Sequence, residues 1–215
     1  LLKKIHVTVT YPANEFTIGE HKGEIGVFDS IWSDEYTLFR KKQYELDLQN
    51  TWIRNVVTRS FEENSNFITS IKIDNNRGVT LGYSPGRKGQ LLIVVDPTMC
   101  HPESKILTSI RDLTGDDLDF ILKLKTSVER LIRRDNLLVI NPGCQPNFYV
   151  PYPPSVHVFH IIVNNNMKGM TNNNIKLDDI IVNLQRNSKY YQEAVIKVQL
   201  NNYHPLRKLF LESES

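Results

Sequence analysis

A chain of 215 residues has room for one sizeable core and at most a small appendage. With 40% apolar and 23% charged residues it has an ordinary globular composition, which excludes global disorder and collagen-like or disulfide-stapled classes. Its 26 Lys and Arg nearly balance 24 Asp and Glu, so net charge gives no drive toward long nucleic acid, and no apolar run approaches the roughly 20 residues of a membrane span. Two cysteines, Cys100 and Cys144, cannot build a disulfide framework or a thiolate-only zinc site, and a reduced intracellular compartment, cytoplasmic or nuclear, is expected. The opening Leu1-Leu2-Lys3-Lys4 carries no initiator Met, and a fragment of a longer protein is expected.

In chain order, residues 4–10 alternate β-branched and polar side chains and read as a strand stopped at Pro12. A glycine-bearing connector follows. Residues 34–64 turn helical, with Leu46, Leu48, Trp52, Ile53, Val56 and Val57 at three-to-four spacing. Residues 67–73 and 78–81 read as short strands around the Asp74-Asn75-Asn76 turn, and residues 83–89 as a loop by their Gly and Pro content. Residues 91–95 form a buried strand. The clearest helix starts at Thr114, a hydroxyl N-cap followed by Asp116 and Asp117. Leu118, Ile121, Leu122, Val128, Leu131 and Ile132 make its apolar face. Residues 137–140, 148–152 and 155–163 read as three further strands. The asparagine tracts 164–166 and 172–174 read as an exposed loop, and a helix near 177–185 and a strand near 194–199 close the pattern. Helix, antiparallel strands, helix, strand is the order of an α+β fold with a mainly antiparallel sheet.

Among the six histidines, His157 and His160 are neighbours. On a strand through 155–163 they would face opposite ways, so they could not share a metal or a reaction centre, and a structural role for each is the plainer reading. No helical His-x-x-x-His is present, and neither metal nor cofactor is expected. The loop holding Arg87 and Lys88 is glycine-rich but lacks P-loop spacing. Trp52 and Glu62 combine a stacking ring with a carboxylate, which suits a cationic purine; taken alone, a core residue and a solvated helix end are the plainer reading.

Longer stretches carry a resemblance. Ser109-Ile110-Arg111-Asp112-Leu113-Thr114 before an amphipathic helix, then Tyr149-Val150-Pro151-Tyr152-Pro153-Pro154-Ser155 running into the histidine segment, resemble the C-terminal domain of the scavenger mRNA decapping enzymes of the histidine triad superfamily. Residues 7–13, the Trp52 helix 49–55, and the final 177–184, 190–192 and 204–206 extend the resemblance over nearly the whole chain. It implies a histidine-triad-like antiparallel sheet with flanking helices. Residues 1–15 would be the end of an N-terminal domain, 16–34 a hinge and 35–215 the C-terminal domain.

That family hydrolyses short capped fragments, releasing methylated guanosine monophosphate, with a His-x-His-x-His motif whose middle histidine attacks phosphorus. Residues two apart on a strand share a face and converge on one phosphate. Here the motif reads Val158, His160, Ile162: the nucleophile position keeps its histidine and both flanking positions are aliphatic. Pro151 and Val156 replace a histidine and a tyrosine of the family pattern, and the arginine before the last helix is lost in the asparagine tract. The resemblance assigns Trp52 and Glu62 to the methylguanine base, and Ser155, with Arg87 and Lys88 as substitute cations, to phosphate. It implies a cap-nucleotide or short capped-RNA ligand and a homodimer or a heterodimer with an active relative. Together these features predict a degenerate decapping-like protein that binds cap or acts as a partner subunit with little hydrolase activity. An active hydrolase relying on His160 and a purely structural subunit are the alternatives.

Overall fold

In the computed structural model, the described residues are 25–49, 67–84, 89–139, 144–165, 173–201, 204 and 206–207. The strand expected over 4–10 and the connector up to residue 24 lie outside them, as does the continuation of the first helix beyond Gln49. Two compact units are present. One contains β1 (Ile25–Ser30) and β8 (Ile196–Asn201), paired antiparallel with Phe28 opposite Val198; the other runs Trp32–Ala194. A strand thus occupies part of the stretch read as connector.

The larger unit holds a six-stranded sheet in the order β2 (Phe67–Lys72), β3 (Gly78–Tyr83), β4 (Gln90–Val95), β6 (His160–Asn164), β5 (Asn147–Pro151), β7 (Asn174–Lys176), with every neighbouring pair antiparallel. Among the described residues four α-helices accompany these strands: α1 (Asp34–Gln49), α2 (Leu118–Asp135), α3 (Leu177–Arg186) and the short α4 (Tyr190–Glu193). This is the α+β arrangement expected.

Local chemistry explains the elements. Asp74 turns β2 into β3 by accepting the backbone N–H groups of Asn76 and Arg77 at 2.8 and 2.7 Å. The approach to α2 is capped by Asp117, whose carboxylate accepts the Thr114 N–H at 3.0 Å and its hydroxyl at 3.2 Å. α2 then buries Phe120, Ile121, Leu124, Val128, Leu131 and Ile132, and ends at Asn136, whose φ of 50° is the left-handed cap favoured by Asn. Leu122, expected on the apolar face, is exposed. α3 buries Leu177, Ile180, Ile181 and Leu184, and packs on α2, β5 and β7.

Three expectations are corrected. Residues 137–139 form no strand. Residues 155–159 are irregular and the strand begins only at His160. The asparagine tracts are not simply exposed loop: Asn164 closes β6, buried, and Asn174 opens β7. Pro153 and Pro154 have no N–H to give a ladder, and just before β6 Phe159 donates to the Leu107 carbonyl at 3.0 Å and accepts from the Val95 N–H at 2.9 Å.

Candidate functional site

His160 opens β6 opposite Val94, in the middle of the sheet. Its side chain is 7% exposed. Nδ1 lies 2.8 Å from the Val158 carbonyl oxygen, which can only accept, so Nδ1 carries the proton and Nε2 keeps its lone pair. Burial pushes this imidazole below the ordinary histidine value; the Val158 hydrogen bond acts upward, His157 downward and Asp47 upward. A neutral imidazole with a free Nε2 lone pair is what a nucleophile requires.

The surroundings supply little help to such a nucleophile. Leu92, Val94 and Val158 form one buried apolar cluster, with Ile162, Val156, Tyr44 and Leu48 packed against it. Val158 and Ile162 thus lie in one hydrocarbon patch beside His160, and neither can donate a proton or bind a phosphate oxygen.

His157 is positioned differently from the expectation. Because the strand begins at His160, strict alternation does not govern His157, which is buried against α1. Asp47 on α1 accepts the His157 backbone N–H at 2.6 Å, and the same oxygen lies 3.5 Å from the ring Nδ1, an ion-pair separation too long for a good hydrogen bond. The ring meets Phe39 edge-on at 5.6 Å, and neither ring nitrogen has a hydrogen-bond partner. Asp47 was not visible as a site residue in the sequence, because nothing local to it marks a partner 110 positions away.

α1 reaches this face through an unusual stripe. Tyr36, Arg40, Tyr44 and Asp47 recur at helical spacing, whereas Leu38 and Leu46 are exposed. Arg40, 1% exposed, donates to Asp112 at 2.7 Å, Thr108 at 3.1 Å and Ser109 at 3.2 Å, with its guanidinium over the rings of Trp32 and Tyr36. This fixes α1 to the 108–112 loop. The cavity beside Arg40, about 300 Å³, is lined by Thr37, Lys41, Tyr44, Glu45 and Ile106 among others, with neither His157 nor His160 in its wall.

Of the other residues singled out by sequence, Ser155 is exposed in the loop before His157. Trp52, Glu62, Arg87 and Lys88 lie outside the described residues. Among the described residues no group of three or more His, Cys, Asp or Glu could hold a metal ion, and no helix is long and apolar enough to cross a membrane.

Two comparisons bear on this arrangement. Residues 99–177, which include the Arg111 turn, α2 and the His160 strand, match the family model described as "Scavenger mRNA decapping enzyme C-term binding". The chain is also 26% identical to the m7GpppX diphosphatase of Caenorhabditis elegans, over 94% of this chain and 65% of that protein. The chain therefore spans about two-thirds of the length of this curated relative. A match that takes in the histidine strand, and a second running along almost the whole chain, make the chain similar to the scavenger mRNA decapping enzymes over these stretches.

Proposed function

We propose that the protein binds 7-methylguanosine cap nucleotide inside the cell and hydrolyses it slowly or not at all. The observation that carries this reading is the hydrocarbon on both sides of His160: Val158 and Ile162 pack with Leu92 and Val94 where a decapping enzyme needs groups that hold phosphate and move protons. Losing such groups costs about 10²–10⁴-fold each. The base-reading pair Trp52 and Glu62 supports retained binding, since a ring stacked on a cationic purine is worth roughly 1–2 kcal/mol when desolvated. Ser155, Arg87 and Lys88 are its phosphate contacts in this reading. The protein then acts as a cap-binding partner, as a homodimer or beside an active relative.

The test is cleavage of a capped dinucleotide at high protein concentration. The expected rate is no more than about a thousandth of that of an intact family member, from the cost of the lost groups. Rapid release of methylguanosine monophosphate that vanishes in His160→Ala would overturn it. One observation favours a second reading. His157 is buried three residues before His160 with its backbone held by Asp47, and under this reading it supplies the missing proton. Under that reading turnover is substantial and falls in both His157→Ala and His160→Ala.

Binding has its own measurement. Trp52 fluorescence should be quenched more strongly by 7-methylguanosine diphosphate than by guanosine diphosphate, and Trp52→Ala should erase the preference. Equal affinity for the two nucleotides in the unmodified protein would remove the cap from the reading.

A further inference from the structure

Arg40 on α1 forms part of the wall of the cavity between this helix and the 106–112 segment. Its three acceptors, Thr108, Ser109 and Asp112, all take their hydrogen bonds from one nitrogen, Nη1. Among the described residues the buried Nε has no acceptor, and none of the three bonds uses Nη2. The Nε–Nη2 edge, whose two N–H groups run parallel, is an edge that grips a carboxylate in two bonds. No described protein group takes it, although the side chain is 1% exposed and its guanidinium carbon lies 5.0 and 5.2 Å from the ring centroids of Trp32 and Tyr36.

A buried donor without a partner destabilises the fold, and more so when it carries charge. Attachment of α1 to the 108–112 loop accounts for Nη1 alone. The cavity gives the other edge a place to act. It holds about 300 Å³, the lower end of the range for sites that take small molecules. Tyr44 and Ile106 give it an apolar side, and the exposed Lys41 and Glu45 stand one turn apart on α1 at its rim. Arg40 and Lys41 against Asp112 and Glu45 leave the wall formally neutral. Two carboxylates repel a phosphate dianion twice as strongly as a monoanion, so the wall favours a singly charged ligand.

We propose that this cavity is a second ligand site, distinct from the histidine face, and that it takes a small monocarboxylate with an apolar body. The carboxylate pairs with Nε and Nη2 of Arg40, Lys41 adds positive charge at the rim, and the body packs on Tyr44 and Ile106. The site stands without the nucleotide reading above, since neither His157 nor His160 is in its wall. Arg40 then has two tasks, with Nη1 serving the fold and the remaining edge serving the ligand.

The experiment is a nitrogen–proton NMR titration of the full chain that follows the arginine Nε–H signals. The probes are benzoate, its uncharged analogue benzamide, and inorganic phosphate. The Arg40 signal is identified by its loss in Arg40→Lys. Benzoate is expected to shift it saturably and to bind about tenfold or more tighter than benzamide, which lacks the charge. Phosphate should bind more weakly than benzoate. Ile106→Trp, at a residue 57% exposed, narrows the opening and leaves the Arg40 bonds intact. Benzoate affinity in that variant should fall about tenfold at an unchanged Tm. Lys41→Ala should weaken benzoate about two- to fivefold. An Arg40 signal unmoved by benzoate would overturn the site. Equal binding of benzoate and benzamide would overturn the role of the arginine edge, and phosphate binding at least as tightly on the same signal would overturn the carboxylate class. Should Arg40→Lys fold poorly, Ile106→Trp and Lys41→Ala decide the matter, because unaltered benzoate affinity in both places the ligand elsewhere.

Discussion

His160 is held in one tautomer by one carbonyl, and that has measurable consequences. Because Val158 O accepts from Nδ1, nitrogen NMR of the imidazole should report an Nδ1–H, Nε2-unprotonated ring at neutral pH. The lowered pKa also fixes the sign of the pH dependence. A histidine whose folded pKa lies below its unfolded value of about 6.5 contributes stability that is complete above that value and lost as pH falls through the folded one. Acidification from pH 7 should therefore lower Tm, and His160→Asn should flatten the decline across that window. An identical slope in the variant would refute the linkage. Asp117 acts at lower pH. Burial pushes its carboxyl up, but hydrogen bonds from Arg77, the Thr114 backbone and Lys105 outweigh this and hold it below the ordinary carboxylate range. Its contribution is lost only when pH falls through that lower value.

At the scale of elements, α1 matters most to the site, and its attachment is polar at both ends. Arg40 secures it to the 108–112 loop and Asp47 to the His157 backbone. Arg40→Ala removes a buried fork and leaves Asp112 short of its partner, with an expected loss of about 3–5 kcal/mol in urea unfolding. Arg40→Lys should recover only part, because an ammonium cannot reproduce the planar fork over Trp32 and Tyr36. Asp47→Ala leaves the His157 N–H without an acceptor, at about 1–3 kcal/mol, and Asp47→Asn, which still accepts, should lose less. Equal losses in the two Asp47 variants would show that charge, not the hydrogen bond, secures the loop. These attachments explain why the packing face of α1 was illegible. A search for apolar periodicity picks Leu46 and Leu48, yet Leu46 is exposed while the stripe beginning Tyr36, Arg40, Tyr44 does the packing.

Across the larger unit, Arg111 has a comparable role over longer range. Fully buried, it donates to the Tyr152 hydroxyl at 2.8 Å and to the carbonyls of Tyr191 and Ala194 at 2.7 Å each. It thereby joins the turn before α2, the corner after β5 and the α4 segment. Arg111→Met fills similar volume but strips donors from two buried acceptors and a part-buried one, and about 3 kcal/mol or more should be lost in chemical denaturation. A near-neutral outcome would mean that those acceptors find other partners.

The sequence by itself determined the strands on either side of the Asp74 turn, the buried β4, the amphipathic α2 and α3, and the retention of a single histidine between aliphatic neighbours. Each is a local matter: a turn residue, a run of β-branched side chains, a repeat near 3.6, a spacing of two. Only the tertiary structure decided where β6 begins, that His157 lies beside Asp47, and that Asn164 is a buried strand residue and not loop. The reason is physical. The partners that bury His157 and Asn164 come from α1, β4 and β5, distant in sequence, so no window of neighbouring residues contains the information.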